Sequence, residues 1–327
     1  MIRSFDWRDF PLLHRYRKHG LWLDSTLELT RWLSFVPAGA LLASLAPAIG
    51  IYTCVSRANG YPNLPVIGQV VHQPGSQAAQ LTFLAPAAAI KSPGAAALLD
   101  YLAGQMGRRG AHNLLAEVQE NAPAFEVLRQ AGYAIYSRQR IWKLAGFPDV
   151  EETPTRWSPA TSLDEPDIRA LYSSIVPALV QQAEPPPWER LNGVVYRHGG
   201  ELLGYIYLHY GPRGVWAQPF LHPEIENVTG RLVLLLNHLP NRRSRPVYLA
   251  LRSHPAWLAP PLVDMGARPG PRQAVMAKRL VVPLKAVLPL KIPGTGLETP
   301  QPKASAYTLH PITGQPSPPY DETKSYR

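Results

Sequence analysis

The spacing of apolar residues predicts alternating strands and helices over the first 144 residues. Residues 66–73 and 80–84 have strand composition and flank the turn residues 74–76, so they predict a hairpin. Apolar residues at helical spacing follow between positions 98 and 106, and Gly110 ends this run. Three more segments, in the order strand, helix, strand, complete this half: residues 113–118, 124–131 and 133–144.

The second half of the chain has the same order of predicted elements. Residues 145–160, rich in Pro, Glu and Thr, predict a linker before it, and the Pro-rich residues 293–327 predict a disordered tail. The elements between them are a helix from 164 to 180, a hairpin of 193–198 and 202–210, a strand at 215–221, a helix at 228–239, a strand at 247–251, a short helix around Leu262 and a strand at 275–282.

Three blocks of residues recur in the same order in both halves, 134 to 137 positions apart. The first block is a single Gly, Gly68 in the first half and Gly204 in the second. The second block is Phe-Leu-x-Pro, at residues 83–86 and 220–223. The third is Leu-x-x-x-Gly followed by Arg-Gln, and it ends at Arg138-Gln139 in the first half and at Arg272-Gln273 in the second. A repeat of this kind indicates duplication. We therefore predict one domain at residues 1–148, a second at 149–290 and a tail at 291–327.

Composition narrows the class of protein. Hydrophobic residues make up 46% of the chain and charged residues 17%, as in a globular protein. The net charge of +10 favours anionic ligands, but the basic residues are scattered, so we expect no nucleic-acid partner. The single cysteine, Cys54, excludes an intramolecular disulfide and, without nearby partners, predicts no metal site. We expect the protein in the cytoplasm.

One uncharged stretch, residues 32–55, is long enough to cross a membrane. Pro37, Pro47, Gly39 and Gly50 interrupt it, which favours a buried helix, turn and strand over a membrane anchor. We expect no membrane partner, and a membrane-associated protein anchored by this stretch stays as an alternative.

The segment Asn121–Tyr133 carries a family resemblance. Its Asn is followed by Ala at +3, Gly at +11 and an aromatic residue at +12, and it resembles the corresponding motif of the GNAT N-acetyltransferases. Residues 66–144 look like the later two-thirds of that family's fold. The resemblance implies an α+β protein of two tandem GNAT-like units, each a mixed, mostly antiparallel sheet flanked by helices.

The resemblance also implies a site for acetyl-CoA in the first half. The strand that ends near Phe83 and Leu84 would splay from the strand at 114–118, and the pantetheine arm would pair in the gap. The turn before the long helix would hold the pyrophosphate, although Ile90 and Pro93 depart from the family's loop. The implied cofactor-binding residues are Phe83, Leu84, Lys91, Ser92, Gly94, Ala95 and Asn121.

The predicted catalytic residues match the family's pattern less well than the Asn121–Tyr133 motif does. Leu128 stands where the family often has a tyrosine acid, so we predict Tyr133 as a substitute, with Tyr136 as a second candidate. Glu117 is the predicted base for the amine, and Glu120 and His72 are alternatives. Buried aromatic residues and solvated carboxylates remain the structural alternatives for all of them.

The second half has weaker ligand features. Glu224 and Glu226 stand where pyrophosphate would lie and would repel it, so we interpret this half as a degenerate copy that roofs the substrate cleft. The sequence thus predicts transfer of an acetyl or other acyl group from acetyl-CoA to a small-molecule or peptide amine, in the N-terminal unit and without a metal. The alternative is a non-catalytic binding or regulatory protein of the same fold.

Overall fold

The computed structural model describes residues 2–31, 39–40, 50–57, 64–144, 156–186, 191–239 and 242–282. The predicted tail, most of the predicted linker and most of the uncharged stretch lie outside these residues. In the described residues, no helix is both long and apolar enough to span a membrane. The predicted boundaries at 148/149 and 290/291 stay a prediction.

The first half contains seven strands and four α-helices among the described residues. The predicted hairpin, long helix and later strand–helix–strand order are confirmed, and two short elements before residue 31, β2 and α2, were not predicted. The strands are β1 (Ile2–Ser4), β2 (Leu21–Trp22), β3 (Ile51–Ser56), β4 (Val66–Val71), β5 (Ala78–Ala85), β6 (Asn113–Gln119) and β7 (Ala134–Leu144), and the helices are α1 (Phe10–Tyr16), α2 (Ser25–Thr30), α3 (Pro93–Arg108) and α4 (Pro123–Gln130).

The second half repeats this order except that the described residues contain no equivalent of β2. Its last strand begins seven residues earlier than predicted, because Gly266, at a φ of +74°, ends the preceding helix and lets the chain extend at once. The elements are β8 (Trp157–Pro159), α5 (Glu165–Ile175), α6 (Ala178–Ala183), β9 (Gly193–His198), β10 (Glu201–Tyr210), β11 (Val215–Leu221), α7 (Val228–Asn237), β12 (Val247–Arg252), α8 (Ala259–Asp264) and β13 (Arg268–Arg279).

The strands of both halves form one sheet, in the order β1-β3-β4-β5-β6-β13-β7-β12-β11-β10-β9-β8, with β2 added beside β5. The last strand of each half pairs with a strand of the other half. β13 pairs with β6, and β7 pairs with β12, both antiparallel. The strands β7 and β13 pair with each other, and Gln139 lies directly opposite Gln273. The repeated Arg-Gln blocks of the sequence therefore meet where the two halves join.

Each half also has its own core. In the first half, α3 begins at the cap Ser92, whose side chain accepts a hydrogen bond from the N–H of Ala95, and buries its apolar face against β3 and β4. In the second half, α7 and α8 pack together over β11 and β12. In the first half, α3 and α4 therefore lie over the parallel pair β5 and β6. In the second half, α7 and α8 lie over the parallel pair β11 and β12.

Candidate functional site

Each half contains one pair of parallel strands that pair only at their beginnings. In the first half, Ala78–Gln80 of β5 pair with Asn113–Leu115 of β6. In the second half, Val215–Ala217 of β11 pair with Val247–Leu249 of β12. Beyond these residues the strands diverge and leave a wedge, so that each half has a strand edge whose backbone groups need another partner.

In the first half, the chain itself fills this wedge. Leu21 and Trp22 pair with Leu84 and Phe83 of β5, and the N–H of Leu23 donates to the carbonyl of Thr82 at 2.9 Å. The carbonyl of Leu23 accepts from the N–H of Glu117 on β6 at 2.9 Å and from the side-chain amide of Gln80 at 2.8 Å. Leu23 is 1% exposed. The segment thus bridges both sides of the wedge.

In the second half, the wedge is open. Beyond Ala217, no backbone hydrogen bond joins β11 to β12 within the part of the chain that the structure describes. Pro219 lies on this free edge, where a strand loses no ladder bond through its missing N–H. A cavity of about 340 Å³ borders the edge and is lined by the end of α5, residues 219–223, His254, Pro255 and Trp257. Burial lowers the pKa of His254 to about 4, so this side chain is neutral at pH 7.

A second cavity, of about 300 Å³, lies between the two halves and is called the central cavity below. Its lining crosses the sheet from β5 and β6 to β11 and is closed by Tyr172 of α5 and by residues 184–186. Phe220 lines both this cavity and the open wedge of the second half. The two spaces therefore adjoin at Phe220.

A chain of polar side chains runs along the central cavity. Arg252 and Glu184 form a buried ion pair at 2.6 Å, and the hydroxyl of Tyr136 donates to Glu184 at 2.9 Å. Burial and the charge of Glu184 raise the pKa of Tyr136 well above its ordinary value. From Arg252 the chain continues through Gln139 at 2.9 Å and Gln273 at 2.8 Å.

The other end of this chain is acidic. Ser25 connects it, since its hydroxyl donates to Gln273 at 3.1 Å and its N–H donates to the carboxylate of Glu117 at 2.9 Å. Two further carboxyl groups lie near Glu117. Burial, and then the charge of Glu117, raise the pKa of both Asp24 and Glu28 to about 7. These groups can therefore exchange protons near neutral pH.

The structure places the predicted catalytic residues apart. Glu117 lines the central cavity, as its predicted role as a base requires. Tyr133 is 3% exposed in the core of the first half, where burial raises the pKa of its phenol. It lines neither the central cavity nor the open wedge of the second half. The position of Tyr133 corrects its predicted role as the acid beside Glu117, and Tyr136, the second candidate, lines the central cavity.

The predicted cofactor-binding residues divide in the same way. Phe83 and Leu84 are buried, and their backbone edge, expected to be free, pairs with β2. Lys91 and Ser92 line a cavity of about 580 Å³ between the first turn of α3 and α4. Gly94 and Ala95 are buried in the first turn of α3, and Asn121 is exposed in the turn before α4. Thus a cavity lies beside Lys91 and Ser92 at the outer end of the expected groove, whereas the strand edge at its inner end is paired with β2.

Comparison with solved structures identifies the fold. A GCN5-related N-acetyltransferase from Sphaerobacter thermophilus matches with a TM-score of 0.53 at 12% identity, over 86% of this chain and 96% of that chain. The protein has the GNAT fold. A tandem GNAT protein from the clavulanic acid biosynthesis pathway matches with a TM-score of 0.47 at 15% identity, over 87% of this chain and 99% of that one. A GNAT-family acetyltransferase from Colwellia psychrerythraea matches with a TM-score of 0.44 at 10% identity, over 86% and 99%.

No model of a known protein family and no curated protein matches the sequence. The assignment of the GNAT fold therefore rests on similarity to solved structures. Within the described residues, no group of three or more His, Cys, Asp or Glu side chains is arranged to hold a metal ion.

Several residues that line the central cavity were not predicted as site residues, among them Tyr172, Glu184, Phe220 and Arg252. A signal existed for Phe220, because the repeat aligns Phe220-Leu221 with Phe83-Leu84. No such signal marked Glu184, which follows a short helix in a Pro-rich stretch. Arg252 is the last residue of an apolar strand and becomes buried only because Glu184 comes to it from another element.

Proposed function

We propose that this GNAT-fold protein transfers an acetyl or other acyl group from acyl-CoA to an amine held in the central cavity. The observation that carries the proposal is the free edge of β11, which borders a cavity and adjoins the central cavity at Phe220. An extended pantetheine arm pairs with such an edge as an added strand would. The thioester at its end would then reach the central cavity.

This proposal moves the acyl-CoA arm from the first half to the second. In the first half, an arm could pair with Phe83 and Leu84 only after Leu21–Leu23 had left the wedge. That exchange would expose Leu23 and break the hydrogen bonds that the segment makes with β5 and β6. The second half requires no such exchange.

Glu117 is the proposed base. A protonated amine must lose a proton before it attacks a thioester, and a carboxylate in the same cavity can receive that proton directly or through one water. The nitrogen then bonds to the carbonyl carbon, the carbon–sulfur bond breaks, and the departing thiolate takes the second proton of the amine. The first proton passes to solvent. Asp24 and Glu28, with pKa values raised to about 7, add negative charge beside Glu117 as the pH rises above neutral, and this charge favours a cationic acceptor.

The proposed acceptor is therefore a small-molecule or peptide amine whose cationic end lies near Glu117. A cavity of about 300 Å³ is at the small end of the range for small-molecule sites. The Arg252–Glu184 pair and the hydroxyl of Tyr136 form the opposite wall and offer polar groups to the rest of the acceptor.

Calorimetry with acetyl-CoA tests the position of the arm. Ser174 is exposed and lines the open wedge, so Ser174→Trp would fill the entrance without disturbing the core. Ser173→Trp is the matched control, since Ser173 is also exposed but does not line the cavity. We expect saturable heat with the unchanged protein and Ser173→Trp, and its loss with Ser174→Trp. Absence of heat at millimolar acetyl-CoA in the unchanged protein would contradict the proposal.

A thiol-release assay with a panel of amines tests the chemistry. We expect Glu117→Gln to lower kcat by about 100-fold or more, as for the loss of a general base, with little change in acetyl-CoA affinity. Equal activity of Glu117→Gln and the unchanged protein would remove Glu117 from the mechanism.

A second candidate function is non-catalytic binding. Glu224 and Glu226 favour it, because both are exposed in the turn before α7 and would repel the pyrophosphate of CoA. Binding of acetyl-CoA without thiol release from any amine in the panel would support this second candidate.

A further inference from the structure

A group of arginines lies on the face of the sheet opposite the central cavity. Gln139 faces the chain of polar side chains beside the central cavity, so its neighbours Arg138 and Arg140 extend to the other face of β7. Arg272 of β13 joins them there. These three side chains line a cavity of about 340 Å³ that also contacts the start of α8, and we call it the arginine cavity.

The charges of the arginine cavity are not balanced. Arg140 and Arg272 are direct cross-strand neighbours, and like charges in this position destabilise a sheet. Glu120 forms ion pairs with two of the three arginines, at 2.6 Å from Arg138 and 3.7 Å from Arg272. No carboxylate within the described ranges forms an ion pair with Arg140. Three guanidinium groups thus share one carboxylate, which leaves two positive charges.

A buried donor at the same cavity also lacks a partner. Trp142 is 4% exposed, and its indole N–H has no hydrogen-bond acceptor among the described residues. Trp142 lies on the same face of β7 as Arg138 and Arg140, and it lines the arginine cavity. Buried donors usually have partners, so a cavity with a free indole N–H and excess positive charge is suited to an anion.

We propose that the arginine cavity binds the dianionic phosphoryl group of a small phosphorylated ligand. Two excess positive charges match a dianion, and planar guanidinium groups bind phosphate through paired N–H donors. The volume of about 340 Å³ admits a phosphorylated small molecule. This site is separate from the proposed acyl-transfer site, because the sheet lies between the two cavities.

The repeat explains why this cavity lies where the halves join. Arg138-Gln139 and Arg272-Gln273 are the equivalent blocks of the two halves, and the exchange of β7 and β13 brings them side by side. The glutamines meet on one face through a hydrogen bond of 2.8 Å, and the arginines collect on the other. Neither half alone contains both pairs.

Thermal unfolding of the full chain tests the proposal, with inorganic phosphate as the probe, above the second pKa of phosphate and at constant ionic strength. We expect phosphate to raise the unfolding midpoint with a saturable dependence on concentration. Arg140→Gln and Arg272→Gln should each weaken the apparent affinity by about tenfold or more. Arg169→Gln, which removes an exposed arginine from α5, is the matched control and should leave the affinity unchanged.

A second readout distinguishes a ligand site from a surface charge effect. Because Arg140 opposes Arg272, Arg140→Gln should raise the unfolding midpoint in phosphate-free buffer while it removes the response to phosphate. The proposal is overturned if Arg140→Gln and Arg169→Gln reduce the phosphate response equally, or if phosphate gives no saturable shift. The same unfolding measurement is repeated with malonate, a dicarboxylate, in place of phosphate. If malonate binds as tightly as phosphate, the assignment of a phosphoryl group is overturned.

Discussion

The two halves of the molecule differ most in the segment that joins their first two helices. In the first half, residues 17–24 separate α1 from α2, and they enter the wedge and pair with β5 as β2. In the second half, only Val176 and Pro177 separate α5 from α6, and the wedge stays open. Because the strands diverge in the same way in both halves, the length of one connection determines whether the chain itself fills the wedge.

The halves also differ in what supports their wedges. Arg252 of the second half is equivalent in the repeat to Val118 of the first, which is a buried core residue. The second half thus has a buried ion pair where the first half has an apolar contact. Removal of one member of a buried ion pair leaves the other charge buried without a partner, whereas truncation of an apolar residue loses only the packing of that side chain.

The largest expected effect comes from breaking this pair. Glu184→Ala would leave the guanidinium of Arg252 buried without its carboxylate, and removal of one partner of a buried pair costs about 3–5 kcal/mol. Val118→Ala, at the equivalent position of the first half, should cost only about 1–2 kcal/mol because it deletes two methyl groups. Urea denaturation of both variants measures the difference.

A double variant checks the cause of that effect. Glu184→Met with Arg252→Met replaces both charges by apolar side chains, and such replacements are often neutral or stabilising. We expect the double variant to recover most of the stability that Glu184→Ala loses. If it is as unstable as Glu184→Ala, the loss comes from packing rather than from an unpaired charge.

The next effect concerns the segment in the first wedge. Leu23 is 1% exposed, so Leu23→Ala should lower the free energy of unfolding by about 2–5 kcal/mol. Ile175, at the end of α5 beside the open wedge, is half-buried, and Ile175→Ala should cost less than about 1.5 kcal/mol. Hydrogen exchange at the amide of Leu23, which donates to Thr82, should also become faster in Leu23→Ala. Equal costs for the two variants would mean that the segment is not held in the wedge.

The strand and helix order could be predicted from the sequence because each segment keeps one clear period. The repeat of Gly, Phe-Leu-x-Pro and Arg-Gln also indicated the two equivalent halves. The short strand β2 could not be predicted, since two residues carry no measurable period. Its pairing with Phe83 and Leu84 is set by tertiary packing.

The candidate site was harder to predict than the fold. Glu117 was found because its position on a strand beside the expected groove is a local property. Tyr133 was misplaced because it lies just before β7 and packs into the core of the first half, whereas Tyr136, three residues further along the chain, lines the central cavity. The exchange of β7 and β13, which brings the arginines together, has no local signal in either strand.

Carboxyl groups in each half should make the stability of the protein depend on pH, and the dependences of the two halves should have opposite signs. Burial and the charge of Glu117 raise the pKa of Asp24 from 3.8 to about 7 and that of Glu28 from 4.5 to about 7. The folded state therefore holds protons that the unfolded state has released, and this contribution to stability, complete below pH 4, is lost as the pH rises to about 7. Asp24→Asn should flatten the fall in unfolding midpoint over this range.

A carboxyl group at the start of α5 in the second half behaves in the reverse way. Burial alone would raise the pKa of Asp164, but hydrogen bonds from Arg197 and Thr161 lower it below its ordinary value. Its contribution to stability is present above that ordinary value and is lost as the pH falls. Asp164→Asn should therefore weaken the acid side of the profile alone. If Asp24→Asn and Asp164→Asn change the same side, the contrast between the halves is wrong.

The smallest expected effects concern the caps of the two equivalent helices. Ser92 caps α3 with an extended backbone, so Ser92→Ala should cost about 1 kcal/mol. Asn227 caps α7 from a left-handed backbone with a φ of 48°, so Asn227→Ala loses the cap and also strains the backbone, for about 2 kcal/mol in total. Asn227→Gly should cost only about 0.3 kcal/mol, because glycine tolerates both the cap position and the positive φ. Denaturation of the three variants should give the order Asn227→Ala, Ser92→Ala, Asn227→Gly. Equal costs for alanine and glycine at position 227 would show that the left-handed backbone contributes nothing to the difference between the two turns.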